Sequence, residues 1–163
     1  MLWLKLLVYG PVFLGAFLVL GPWVALRLGG GPMLPTSPPA IVAGVVLFVA
    51  GAIVMWRCVW DFGRVGRGTP VPFDAPRNHV TVGFYRRVRN PMQIGLILHL
   101  LGLAAAYMSV WLLGYALAVW LCLHLCVVVY EEPTLRGRFG DGYRAYCAAV
   151  PRWIPRPRSA MTA

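Results

Sequence analysis

Two short stretches hold most of the residues that could do chemistry. The first reads Gly83-Phe-Tyr85-Arg-Arg-Val-Arg89-Asn90-Pro91-Met92. The second is Glu131-Glu132-Pro-Thr-Leu135, followed by Phe139-Gly140, Tyr143, Tyr146 and Val150-Pro151. Asn before Pro is a helix-start signal, with Asn as N-cap and Pro at the first helical position. Such a helix begins with free backbone N–H groups and Arg89 beside them. That combination suits a carboxylate or a phosphate, and it equally suits Arg residues resting on lipid phosphates. Glu131 and Glu132 are adjacent carboxylates in a chain with five acidic residues. They can pair with Arg89 as a structural cluster, or hold hydroxyl or ammonium groups of a ligand.

Other reactive groups are sparse. Cys58, Cys122, Cys126 and Cys147 form no CxxC pair and read as small apolar side chains. His99 and His124 fall inside apolar runs, where a neutral His bonded to a neighbouring helix is the plain expectation. His124 lies seven residues before Glu131, on about the same face of a regular helix, and so can point toward the same site. HExxH, GxxxxGK[ST], GxGxxG and a Ser–His–Asp set are all missing from the sequence, which leaves metal, phosphoanhydride and acyl-enzyme chemistry without support.

The elements that must position these residues follow from composition. The chain is 60% hydrophobic and 12% charged, against about 25% charged in soluble domains. This excludes a disordered chain, a coiled coil and an ordinary water-soluble globule. A net charge of +10 in so apolar a chain points to anionic lipid head groups rather than nucleic acid. The expected fold is all-α and polytopic, with about four transmembrane helices. One span covers Leu6 to Leu26 and a second runs from about Ala40 to Cys58, with a small-residue stripe at Ala43, Gly44, Ala50 and Gly51 for close helix contact. From Pro91 to Tyr130 there is no Asp, Glu, Lys or Arg. As one helix that stretch would extend about 60 Å, roughly twice the hydrocarbon core. It must fold back, and the turn is expected near Tyr107 to Val110.

Charge gives the orientation. Lys5 precedes the first span and Arg27 alone follows it. Arg57, Arg64, Arg67, Arg77, Arg86, Arg87 and Arg89 lie between the second and third spans, and Arg136, Arg138, Arg144, Arg152, Arg156 and Arg158 follow the fourth. With four spans these segments share a side, and the positive-inside rule makes it cytoplasmic, with both termini there. A bacterial inner membrane is the expected location. Leu135, Phe139, Tyr143, Tyr146 and Val150 recur at helical spacing and predict a short amphipathic helix lying on that surface as a lid. Trp153 suits an interfacial anchor. Residues 1–155 are expected to form a single domain, with its motif-bearing part at 66–155 and a flexible tail at 156–163.

Taken together, the two stretches resemble the integral-membrane methyltransferases of the isoprenylcysteine carboxyl methyltransferase and phospholipid N-methyltransferase superfamily. Thr69-Pro70-Val-Pro72 and Asp74-Ala-Pro76 add to the likeness to bacterial members, and the resemblance spans roughly Gly66 to Pro155. Family members often carry His where Asn90 stands and usually Tyr where Gln93 stands. The resemblance implies methyl transfer from S-adenosylmethionine to a lipophilic acceptor at the cytoplasmic membrane edge. It implies catalytic roles for Arg89, Glu131 and Glu132. It implies cofactor contacts from Tyr85, Arg89, Asn90, Pro91, Gly95, Glu131, Glu132, Leu135, Phe139, Tyr143 and Tyr146, and no metal. The partners it implies are membrane lipids and a lipid-like substrate. A sulfonium already activates its methyl group, so alignment and water exclusion are the protein's task. A carboxylate, an amine or a similar group remains open as acceptor. The rival reading is a non-catalytic membrane accessory on the same scaffold, with His99 and His124 as heme ligands.

Overall fold

The structure is a computed structural model that describes residues 12, 15–29, 31, 36–66 and 80–155. Residues 6–11, 13 and 14 of the expected first span, the Pro-rich loop after Gly66 and the tail from Arg156 lie outside the described residues. All regular structure among the described residues is helical, with no strand among them. A π-helical turn, Ala16–Leu20, leads into α1, Gly21–Leu28; α2 is Pro38–Asp61 and ends in a second π turn, Phe62–Gly66. A 3-10 turn, Gly83–Arg86, precedes α3, Pro91–Ala106, and α4 is Val110–Cys126. A third π turn, Val127–Glu131, joins α4 directly to α5, Glu132–Ala149.

Two helical stretches are long and apolar enough to cross a membrane, Pro38–Val65 and Val110–Ala149, while Ala16–Leu28 and Pro91–Ala106 are apolar but shorter. The outer surface is apolar too. Val42, Val46, Ile53 and Trp56 of α2 and Leu117, Leu121 and Leu125 of α4 are all exposed. So large an exposed apolar surface suits lipid, not water. The chain is a membrane protein.

The α2–α3 pair forms the frame. Gly44 and Gly51 of α2 face Gly102 and Gly95 of α3. A Cβ added to Gly51 would stand 2.5 Å from the Gly95 carbonyl oxygen, and one added to Gly44 would stand 2.6 Å from that of Gly102. The small-residue stripe therefore lets two backbones touch, which is how helices associate where lipid removes the hydrophobic drive. Below this crossing, Met55, Leu96, Leu100, Ala116 and Val119 form the buried core that ties in α4. The fold-back falls at Tyr107–Ser109, where Met108 takes φ 48° and Ser109 Oγ accepts from the Leu112 N–H at 3.4 Å. The connection is tight because the apolar run offers no polar residues for a longer one. On the other side of α4, the Tyr115 hydroxyl donates to the Phe17 carbonyl at 3.1 Å and anchors the α1 segment.

The C-terminal region differs from a separate surface helix. The backbone stays helical from α4 through the π turn into α5, then breaks at Gly140, with φ 54° and ψ −130°. That conformation is open essentially to glycine alone. The kink lets Asp141–Ala149 turn against the start of α3, where the two chemical stretches meet.

Candidate functional site

Tyr85, Arg89 and Asn90 approach from the loop before α3, and Glu131, Glu132, Leu135, Tyr143 and Tyr146 from the α4–α5 rod. All eight line one cleft, together with Phe62, Val80 and Val127. Its cavity volume is about 60 Å³, and it opens to solvent. From Val110 to Tyr130, a helix rises about 30 Å, the thickness of the hydrocarbon core. Glu131, Glu132 and the rest of α5 therefore lie beyond the spanning part.

Glu132 is the electrostatic centre. It is 3% exposed and gathers three guanidinium groups. Arg89 Nη1 donates to Oε1 at 2.8 Å, Arg152 donates through Nε at 2.7 Å and through Nη2 to Oε2 at 3.0 Å, and Arg136 donates to Oε2 at 3.3 Å. Burial alone would raise the Glu132 carboxyl, but the Arg152 hydrogen bond and the charges of Arg89, Arg152 and Arg136 outweigh it and hold it below its ordinary value. Arg89 also donates to Cys147 Sγ at 3.1 Å, and its backbone N–H donates to the Pro151 carbonyl at 2.9 Å. Its Nε is buried with no hydrogen-bond partner.

Glu131 differs from its neighbour. It lines the same cleft, yet among the described residues no cation pairs with it. Around it stand aromatic side chains: Phe62 and Tyr85 with ring centroids 5.5 Å apart, and Tyr143 and Tyr146 at 6.1 Å. The Tyr146 hydroxyl donates to the Tyr85 carbonyl at 2.7 Å, which ties the kinked end of α5 to the loop before α3. Burial first, then the neighbouring Cys58 thiol and the charge of Glu131, holds the Tyr85 hydroxyl well above its ordinary range. Burial pushes the Tyr143 and Tyr146 hydroxyls up as well. All three phenols are neutral hydrogen-bond donors at physiological pH.

A free carboxylate, a guanidinium fixed by a buried carboxylate, and an aromatic wall thus line one cleft. Comparison with known proteins bears on this arrangement. A family model for phospholipid methyltransferase matches residues 39–142. The chain belongs to the phospholipid methyltransferase family. No curated protein and no solved structure matches it. The family implies a membrane methyltransferase, and its matched stretch takes in α2, α3, α4 and the first half of α5. Tyr143, Tyr146 and Arg152 lie past the match.

Three of the sequence-derived positions stand off the cleft. Pro91 is fully buried at the first turn of α3. Gly95 sits in the α2–α3 crossing against Met55 and Gly51. Phe139 is half-buried before the kink, with the Arg138 guanidinium 5.6 Å from its ring centre. The Asn90 side chain does not cap α3. Its Nδ2 donates to the Arg152 carbonyl at 3.3 Å, so it fastens the C-terminal strap instead. His124 is turned from Glu131 because the intervening π turn takes up about one extra residue, which moves the two out of register. His124 Nδ1 accepts from Trp153 Nε1 at 3.1 Å. His99 is buried against Phe48, its Nδ1 unpartnered.

Sequence reasoning missed Phe62, Val80, Val127 and, above all, Arg152. Arg152 was one basic residue among many in the tail, and spacing along one helix cannot reveal a contact made across a kink.

Proposed function

We propose that this chain transfers a methyl group from S-adenosylmethionine to a lipophilic acceptor embedded in the membrane. In this reading residues 1–155 form one domain of four spans, with the cleft and both termini on the cytoplasmic side of a bacterial inner membrane. The acceptor is a lipid or lipid-like carboxylate, amine or similar group, and an isoprenylcysteine-like carboxyl chemistry stands among these. The observation that carries the reading is the meeting of Arg89 with Glu131 and Glu132 in one aromatic cleft at the end of the α4 span.

The residues present fit the donor. Glu131 offers an uncommitted carboxylate to an ammonium or to ribose hydroxyls. Arg89, held in place by Glu132, presents N–H groups suited to a carboxylate. Tyr85, Phe62, Tyr143 and Tyr146 offer flat apolar faces to a base and π density to a cation. When bound, the donor supplies an electrophilic methyl group on a sulfonium. The protein's part is alignment and exclusion of water, worth up to about 7–11 kcal/mol in favourable cases. Tyr146, tied to the Tyr85 carbonyl, holds the aromatic walls in place, and the three neutral tyrosines present no phenolate to take the methyl group in the acceptor's place. With an amine acceptor, Glu131 is the group in the cleft free to take a proton.

Calorimetric titration of S-adenosylmethionine into detergent-solubilised protein tests this. Arg89→Ala and Glu131→Ala should abolish binding while both proteins still insert into the membrane. Equal affinity in wild type and variants would overturn the assignment. Radiolabelled donor incubated with protein and membrane extract would then label the acceptor for identification.

A further inference from the structure

Trp153 and His124 lie off the cleft, yet they hold the segment that carries Arg152 onto Glu132. Residues Val150–Pro155 have no helical structure of their own. Three bonds fasten the strap as far as Arg152. Val150 N–H donates to the Tyr146 carbonyl at 2.8 Å, Arg89 N–H to the Pro151 carbonyl at 2.9 Å, and Asn90 Nδ2 to the Arg152 carbonyl at 3.3 Å. Beyond Arg152, the polar anchor among the described residues is Trp153 Nε1 on His124 Nδ1, at 3.1 Å. Trp120 completes the contact, its ring centroid 5.5 Å from His124 and 6.5 Å from Trp153.

The chemistry of this bond is specific. An indole N–H can only donate, so His124 must present Nδ1 as an acceptor and carry its proton on Nε2. The bond thus pins the residue next to Arg152 to the spanning helix α4. Arg152 in turn makes the two-pronged contact with Glu132 that sets Arg89. A long Arg side chain loses much rotamer freedom when it is held in one geometry. Gripping its backbone on both sides lowers that cost before any ligand arrives.

Building on the methyltransferase reading, we propose that Trp153, hooked on His124, is a positioning residue that seats Arg152 on Glu132 and thereby sets the affinity of the cleft for the methyl donor. The hook lies partly past the stretch shared with the family, at residues 39–142. It acts through Arg152 and touches neither donor nor acceptor.

Four variants test it: Trp153→Phe, His124→Leu, His124→Asn and the Trp153→Phe/His124→Leu double. Asn places an oxygen acceptor where Nδ1 stands, whereas Leu fills space without one. Two readouts are taken on the intact detergent-solubilised protein. The first is the rate of tryptic cleavage after Arg152, followed by mass spectrometry with no donor present. The second is S-adenosylmethionine affinity by calorimetry. Loss of one net hydrogen bond corresponds to about a fivefold change. Trp153→Phe and His124→Leu should cleave faster and bind about fivefold more weakly. His124→Asn should behave as wild type, and the double variant should be no worse than either single one. A His124→Asn protein as impaired as His124→Leu would reduce the contact to packing and overturn the proposal. Faster cleavage with unchanged affinity would break the link to the cleft. Cleavage unchanged in Trp153→Phe would overturn the hook itself, even if wild type failed to bind the donor and the methyltransferase reading fell on its own.

Discussion

Arg89 and Glu132, forty-three positions apart in the chain, meet at 2.8 Å with only 13% and 5% of their side chains exposed. Removing one partner of such a buried pair strands the other charge, at a cost of about 3–5 kcal/mol. Glu132→Ala should therefore destabilise the protein by about that much, because Arg89 and Arg152 lose a common acceptor. Thermal unfolding in detergent measures it. A melting temperature within a degree of wild type would show that the cluster does not hold the fold together.

Glu131 should behave in the opposite way. It has no ion-pair partner among the described residues, so Glu131→Gln should leave the melting temperature nearly unchanged. It should weaken S-adenosylmethionine binding by about 10- to 100-fold, the loss of a hydrogen bond to a charged group. Running both assays on the same preparation separates the neighbouring carboxylates. If Glu131→Gln melted early and bound normally, the roles assigned to the pair would be reversed.

The Glu132 cluster also sets an acid limit. Its carboxyl is held below the ordinary 4.5 by Arg152, Arg89 and Arg136 against the opposing effect of burial. A depressed folded-state value means that the stabilisation is fully present above 4.5 and is lost as pH falls through the lower, folded-state value. The stability gap between wild type and Glu132→Gln should be constant from pH 7 down to about 5 and shrink below about 4.5. Melting curves across that range decide the matter, and a gap that stayed constant into strong acid would remove Glu132 as its source.

How far the sequence was legible depends on the range of each contact. The turn at Tyr107–Ser109 followed from an uncharged run too long for one crossing, and Gly44 and Gly51 followed from small residues on one helix face. Both signals are local and periodic. The meeting of Arg89 with Glu132 was one of two open readings, since charge pairing across helices leaves no spacing to count. The Arg152 grip was invisible for the same reason. The π turn at Val127–Glu131 hid the true facing of His124, because a register shift of one residue leaves no mark in a uniformly apolar stretch. Asn90 carried a strong N-cap signal, and tertiary structure overrode it by giving its amide a carbonyl to hold.

Gly140 gives the last prediction. A straight α5 would carry Tyr143, Tyr146 and Cys147 away from Arg89 and Tyr85. The bend that prevents this rests on one residue at φ 54° and ψ −130°. No Cβ clash stands in the way of a substitution, since nothing lies within 4 Å of the position a Cβ would take. The penalty for Gly140→Ala is therefore purely conformational, about 1–3 kcal/mol for forcing a side chain into that region. The chain can avoid this penalty by straightening, which would sever the Tyr146–Tyr85 bond at 2.7 Å and the Arg89–Cys147 contact at 3.1 Å. Gly140→Ala should thus insert normally but lose most donor binding, with Cys147 reacting faster with a maleimide in a Cys122→Ala/Cys126→Ala background. Gly137→Ala, where a Cβ likewise meets nothing and the backbone is helical, serves as the control and should leave both properties unchanged. Equal behaviour of the two variants would mean that the bend at Gly140 does not shape the cleft.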